Sequence, residues 1–345
     1  MEIIPIGNVK KYFSGKITVY QIQIESFPLH VTNIYLVFNG HLTLVDTGAD
    51  TENARKDLDE GFRIIREEFQ EDVSVKDVSD IVITHGHIDH FGMVGHEAFA
   101  EKPIYVHEDD SNILIDYEVR SDYVQRQIDN FLKSTGVEDS LREGLIRLWE
   151  SDFRIFKPKS TEHYIINLHD NDKIIDGFKV HHTPGHSPGA LCLEVGGFLF
   201  TGDHLLSRIT PIQFPSNIVG GTGLNIYLSS LEKISRLARE KNLYGLPGHE
   251  EDIYPIPERV EEIKKFHEVR LREIEGICEE ERSIYEVTVK YFCSFLPEVF
   301  AQHNQPDYNK LFALLEIAAH VEYLVAENKL KKVGEKSGVI KFKAT

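Results

Sequence analysis

Apolar and polar positions follow a β pattern over much of the first 250 residues and a helical one towards the end. Ile17 to Ile24 carries apolar side chains at Ile17, Val19, Ile22 and Ile24. Val31 to Phe38 and His41 to Val45 are rich in β-branched residues, so three strands are predicted. Asn39-Gly40 lies between the last two, a pair that favours a tight hairpin because both residues tolerate positive φ. Thr51 to Gln70 places Leu58, Phe62, Ile65 and Phe69 at helical spacing. Asp80-Ile81-Val82-Ile83 predicts a buried strand ending at Thr84, and Pro103 to His107 predicts another. Residues 174–180 and 191–200 resume the β pattern, with turns at Asp176-Gly177 and Gly196-Gly197, and Tyr244-Gly245-Leu246 is a last extended piece.

Between the strands, residues 108–156 read as two or three helices, and residues 226–241 as one amphipathic helix. Pro255-Ile256-Pro257 reads as a boundary, followed by helices over 258–281, 285–299 and 308–328 and an alternating tail over 329–343. The expected organisation is a domain over 1–255 with a helical insertion at about 108–156, then a smaller domain over 256–345. The insertion reads as a cap over the substrate or as a surface helical pair with its own small core.

A chain of 345 residues suits one large domain and a smaller one. Its net charge of −18 disfavours nucleic acid as the default partner. Cys192, Cys278 and Cys293 are widely spaced, which suggests a reducing compartment and no disulfide framework. Neither a signal peptide nor a membrane-spanning run is legible, so a cytoplasmic protein without a membrane partner is expected.

The chemistry concentrates in Thr84-His85-Gly86-His87-Ile88-Asp89-His90, where three imidazoles and a carboxylate follow a predicted strand. Imidazole nitrogen and carboxylate oxygen are the donors that zinc, manganese and iron accept. In an extended turn His85 and His87 point to one side, while Asp89 and His90 reach a neighbouring spot. A polar turn that happens to be His-rich is the alternative. Against it stand further ligand candidates, each in or just past an extended segment: His186 in Thr183-Pro184-Gly185-His186-Ser187, Asp203 in Thr201-Gly202-Asp203-His204, and His249 in Leu246-Pro247-Gly248-His249. His107 closes a strand and reads more readily as a packed or exposed residue than as a ligand.

These motifs, with Val45-Asp46-Thr47-Gly48 before them, resemble the metallo-β-lactamase superfamily in content and order. The resemblance implies an α/β fold, an αββα sandwich, here with the helical insertion and a C-terminal helical or winged-helix domain. It implies two divalent metal ions, zinc first, with manganese or iron as alternatives. His85, His87 and His186 would hold one ion, Asp89, His90 and His249 the other, and Asp203 would bridge both. Asp89 and Asp203 would be the catalytic carboxylates, and Asp46 would orient the metal-binding turn.

A bridging hydroxide would attack an ester-like bond of a small-molecule substrate, most readily a thioester such as an acyl-CoA. The rivals are an endoribonuclease or phosphodiesterase, and a persulfide dioxygenase with one iron on His85, His186 and Asp203. A binding module without catalysis would be expected to have lost ligands. His87 stands where flavodiiron relatives carry Glu, and Asp203 where the true β-lactamases lack a bridging carboxylate. His204 and Arg208 could meet substrate anions; otherwise His204 would support the ligands from behind, as Asp46 would, or pack, and Arg208 would serve an ion pair. Arg120, Arg126, Lys133 and Arg142 in the insertion could meet phosphates or only face solvent. The tail lysines from Lys329 to Lys343 could form a basic wing for RNA, or the winged-helix region could serve packing or a homodimer.

Overall fold

The structure, a computed structural model, describes residues 2–345 apart from Ala100, residues 156–157 and 159–163, Asp176, residues 294–304 and Ser337. Asp176 of the expected turn, the end of the insertion at residue 156 and the 285–299 helix from residue 294 onward therefore lie outside the described residues.

The chain divides into two units. The first comprises Met1–Tyr117, Phe156–Pro211 and Ser230–Val260, and the second Glu118–Ile155, Ile212–Ser229 and Glu261–Thr345. The Pro255-Ile256-Pro257 run falls at the start of a helix, Ile256–Ile277, a few residues before the first unit ends at Val260. Proline is accommodated in a helix's first turn because its missing N–H would have no partner there. The insertion, from Glu118 onward, groups with the C-terminal segment.

The first unit holds two sheets. One has eight strands in chain order: β1 (Glu2–Ile6), β2 (Val9–Ser14), β3 (Ile17–Phe27), β4 (His30–Phe38), β5 (Leu42–Val45), β6 (Asp80–Val82), β7 (Ile104–His107) and β8 (Ile165–Leu168). Pairing is antiparallel from β1 to β5 and parallel from β5 to β8. The other comprises β9 (Lys173–Ile174), β10 (Phe178–His182), β11 (Leu191–Val195), β12 (Phe198–Gly202) and β13 (Tyr244–Pro247), with β13 parallel to β12 at one edge. The β11–β12 hairpin turns on Gly196 and Gly197 with φ of 56° and 90°, the double positive φ of a two-residue turn that matches strand twist. Strands β1, β2 and β8 are additions to the predicted set. Proline at Pro5 sits in β1, an edge strand, where a missing ladder donor is tolerated.

The described helices are α1 (Glu52–Glu67), α2 (Ile88–Phe91), α3 (Glu108–Ile115), α4 (Tyr117–Thr135), α5 (Asp139–Ile155), α6 (Leu224–Lys241), α7 (Ile256–Ile277), α8 (Ile284–Phe292) and α9 (Tyr308–Ala326). Thr51 caps α1 by accepting from Ala54 N at 3.2 Å, and the buried face Leu58, Phe62 and Ile65 lies against β3. The core between the sheets gathers Val19, Tyr35, Val45 and Val82 from the first sheet with Phe178, Val180, Leu193 and Phe200 from the second. Phe200 meets Tyr35 edge to face at 5.1 Å, and truncating such a ring to alanine costs about 3–5 kcal/mol. Beyond the second sheet, α6 is tied to it by Lys233 Nζ, which donates to His182 O at 2.8 Å. The result is the expected αββα order.

The second unit has its own three-stranded sheet, β14 (Arg282–Ser283), β15 (Leu330–Lys336) and β16 (Val339–Ala344), with β16 central and both pairings antiparallel. Ser283 and Glu286 form a capping box at the start of α8. Among the described residues no helix is long and apolar enough to cross a membrane.

Candidate metal centre

Parallel pairing of β5 with β6 sets Val45 opposite Val82, so the loops that leave both strands emerge side by side. Asp46 follows β5 with φ of 61°, a conformation that Asp tolerates better than most residues. Asp46 Oδ1 accepts from Thr84 N at 2.7 Å, and Oδ2 accepts from Thr84 Oγ1 at 2.8 Å and from His90 Nδ1 at 2.8 Å. One carboxylate thereby fixes the end of the strand and the last histidine of the turn.

The loops after β10, β12 and β13 bring His186, Asp203 and His249 to the same place. Asn33 and Tyr35 of β4 hold the last of these loops. Asn33 Nδ2 donates to Pro247 O at 3.0 Å, Tyr35 OH donates to the same oxygen at 2.6 Å, and Asn33 N donates to Gly248 O at 2.7 Å. Gly248 is needed for close approach. A Cβ there would lie 2.6 Å from His90 Cε1 and 2.7 Å from Asp203 Oδ1.

All seven predicted ligands converge: His85, His87, His186 and Asp203 form one group and His90, Asp203 and His249 a second, which Asp89 joins through a further cluster of His30, Asp89 and His249. In the first, His87 Nδ1 lies 3.0 Å from His85 Nε2 and 3.0 Å from His186 Nε2. Asp203 Oδ2 is 3.9 Å from His85 Nε2 and 3.7 Å from His186 Nε2. In the second, His90 Nε2 and His249 Nε2 are 3.3 Å apart. Asp203 Oδ1 is 3.3 Å from His90 Nε2 and 3.4 Å from His249 Nε2, and Asp89 Oδ2 is 3.6 Å and 3.2 Å from the same two atoms. Each oxygen of Asp203 thus serves a different group.

The donor chemistry fits metal ions. His90 directs Nδ1–H at Asp46, and His249 directs Nδ1–H at Val31 O at 2.6 Å. In the neutral rings both Nε2 atoms then carry lone pairs aimed at carboxylate oxygens, an arrangement that a cation between them stabilises. Metal–nitrogen bonds of 2.0–2.1 Å in a tetrahedral site put neighbouring donors about 3.3 Å apart, close to the spacing found.

Electrostatics separates the groups. Burial, with the neighbouring imidazoles adding to it, pushes His85 well below its ordinary range and His87 down to about 3. Both are therefore neutral donors at pH 7. For His90, burial lowers the pKa, but Asp203, Asp89 and Asp46 outweigh it and raise the value to about 10. His249 moves up for the same reason, with Asp203 leading. The second group holds cationic charge strongly, whether as protons or as a metal ion.

The remaining candidates lie outside the two groups. His204 is buried next to Asp203, is pushed down to about 3 by burial, and has the backbone of Ser230 as a hydrogen-bond partner. Arg208 is 70% exposed, with Nε 3.7 Å from Glu250 Oε1. His107 caps α3 by accepting from Asp109 N at 3.2 Å and stacks on His182, consistent with a packed residue.

Two residues of the surroundings escaped the sequence reading. His30, at the start of β4, lies with Nε2 2.8 Å from Asp89 Oδ2. Asp110 in α3, itself buried, accepts from Gly86 N, Ser187 Oγ and Gly189 N. Neither belongs to a motif, and their partners are distant in sequence, so spacing carries no signal for them.

Comparison with known proteins gives the class. The family model of the metallo-beta-lactamase superfamily matches residues 28–249, and the chain belongs to that superfamily. It is 26% identical over 315 residues to the protein of Bacillus subtilis (strain 168) named "Probable metallo-hydrolase YqjP", covering 88% of this chain and 90% of that one. It is similar in fold to the metallo-beta-lactamase family protein TTHA1429 from Thermus thermophilus, with TM-score 0.72 and 22% identity over 95% of this chain and 98% of that one. It is also similar to a beta-lactamase domain protein from Burkholderia ambifaria, with TM-score 0.72 and 20% identity over 99% and 97% of the two chains.

Proposed function

We propose that this chain is a hydrolase that holds two divalent ions and opens an ester-like bond, with thioesters as the favoured substrate class. The observation that carries the reading is Asp203, which turns one oxygen to each ligand group. His85, His87 and His186 would hold one ion, and Asp89, His90 and His249 the other. Ions bound there would supply a water activated near neutral pH and positive charge opposite the developing oxyanion. The chain's part is to fix the donors before substrate arrives. Asp46 and Val31 O hold the tautomers of His90 and His249 so that both Nε2 atoms face inward.

A one-iron dioxygenase would need only His85, His186 and Asp203, and the complete second group favours two ions. An RNA substrate is disfavoured by the acidic chain and by its tail. Lys329 and Lys341 lie 3.9 Å and 3.5 Å from Glu275 and Glu286. The apolar residues Leu29 and Val31, next to His30 in the sequence, are exposed. In the insertion, Lys133 and Arg142 both engage Asp129 at 2.6 Å, which favours their reading as ion-paired helix-face residues over phosphate contacts.

The test is metal content per chain on protein purified without added metal, followed by turnover of short and long acyl thioesters, phosphodiesters and RNA. Two divalent ions per chain and thioester turnover are expected. Asp203→Ala should abolish turnover and lower the metal content while leaving the fold. Undiminished turnover in that variant would remove the two-ion mechanism, and a single iron per chain would favour the dioxygenase.

A further inference from the structure

Asp46 holds both Thr84, before the first group, and His90 of the second, and beyond it the two ligand groups have separate supports. Around the first, the Gly86 turn and the His186 loop are both fastened to Asp110. Around the second, the fastening comes from the beginning of β4. Val31 O receives His249 Nδ1–H at 2.6 Å, and Asn33 N donates to Gly248 O at 2.7 Å. His30, one residue earlier, completes this support. Its Nε2 lies 2.8 Å from Asp89 Oδ2, the carboxylate oxygen that faces His249 Nε2 and His90 Nε2.

The ring of His30 is itself positioned. It stacks on Phe27 with centroids 5.9 Å apart and planes 25° apart, and lies 4.5 Å from the ring of His249. Its side chain is 47% exposed, whereas that of Asp89 is 12% exposed. A half-exposed side chain bonded to a nearly buried carboxylate can be altered without opening the core.

We infer that His30 is a positioning residue for the second ion: by donating Nε2–H to Asp89 Oδ2 it fixes the rotation of that carboxylate and so strengthens binding at the group of Asp89, His90 and His249. This rests on the two-ion reading of the centre. A monodentate carboxylate without a second partner can swing about its side chain, and each orientation lost on binding weakens the ion's hold. A hydrogen bond to a ligating carboxylate removes that freedom, and loss of such a partner typically costs about 10–100-fold in metal affinity. His30 clusters with Asp89 and His249 and not with His85, His87 and His186, so the effect is confined to one ion.

The experiment titrates zinc alone into the metal-free full-length chain, by calorimetry and by competition with a coloured chelator. Wild type is compared with His30→Ala and His30→Gln, and urea unfolding checks each fold. The expected result is two binding steps in the wild type. His30→Ala should weaken the second step about 10–100-fold and leave the first unchanged. His30→Gln, whose amide can donate in place of the ring, should recover part of the loss. A second step of wild-type strength in His30→Ala, or equal weakening of both steps, overturns the inference while the two-ion reading stands. A wild type that binds a single ion overturns the reading itself.

Discussion

Asp110 accepts a hydrogen bond from Ser187 Oγ at 2.7 Å on the same oxygen that takes Gly86 N at 2.8 Å, and its other oxygen takes Gly189 N at 3.0 Å. One buried carboxylate of α3 therefore clamps the turn carrying His85 and His87 to the loop carrying His186. Asp110→Ala would strand two backbone donors, each loss costing about 1–3 kcal/mol. We expect a lower urea midpoint and weakened binding at the first ion before the second. Asp110→Asn, which keeps one carbonyl oxygen, should be milder. Zinc titration that shows the second ion lost first would contradict this division of labour.

Asp46→Asn separates backbone from tautomer. Asn accepts positive φ about as well as Asp, so the turn should survive. An amide nitrogen set against His90 Nδ1, however, cannot accept its proton, and turning the amide round instead sacrifices a bond from Thr84. Affinity for the ion on His90 should fall by about 10–100-fold, and the buried donor left unpaired should lower stability by about 1–3 kcal/mol, less than loss of the fold. Calorimetric titration alongside a melting curve tests this, and wild-type affinity would exclude Asp46 from the role.

Gly248→Ala should damage the site more than the fold. Its Cβ would press on His90 Cε1 and Asp203 Oδ1, and His90 is held from behind by Asp46. Overpacking of this kind costs about 1–3 kcal/mol. Displacement of the His249 loop should lower the second ion's affinity and turnover together. Full activity in the purified variant would show that the loop can yield.

The second unit contains an acid-sensitive pair. His267 Nδ1–H donates to His320 Nε2 at 3.0 Å, because His320 Nδ1–H is committed to Glu316 O at 2.7 Å. Burial, then the Arg270 guanidinium, holds His267 down to about 3, and His320 is pushed well below its ordinary 6.5 by burial, His267 and Arg270. Both folded values lie below the unfolded one, so the unfolded chain binds more protons as pH falls through 6.5. Stability is therefore full above 6.5 and is lost progressively below it, by up to about 1.4 kcal/mol per pH unit for each proton. Glu316 acts in the opposite sense: burial raises its pKa, which softens the loss around its ordinary 4.5. Urea midpoints measured at pH 7 and pH 5 should drop for the wild type and drop less for His320→Gln. Equal slopes would refute the assignment.

The local parts of this protein were legible from its residues alone. Asn39-Gly40 announced a hairpin and Gly196-Gly197 a turn because glycine adopts positive φ without strain, as Gly40, Gly196 and Gly197 do, and both turns join antiparallel neighbours. The seven candidate ligands were legible because four lie within one turn and the others occupy short Gly- and Pro-containing loops beside extended runs. What the sequence could not state was which groups support them. His30 and Asp89 are 59 positions apart, and Asp110 and Ser187 are 77 apart. Hydrogen bonds across such separations depend on sheet order and register, which no local propensity encodes. The same holds for residues 118–155, whose helical spacing was plain but whose membership in the second unit depends on long-range packing. Sequence alone determined the donor types and the turns that present them, because both are properties of a few neighbouring residues. Tertiary structure decided how Asp203 divides its two oxygens and which side chains hold the ligands still, because those relations exist only once distant strands have paired.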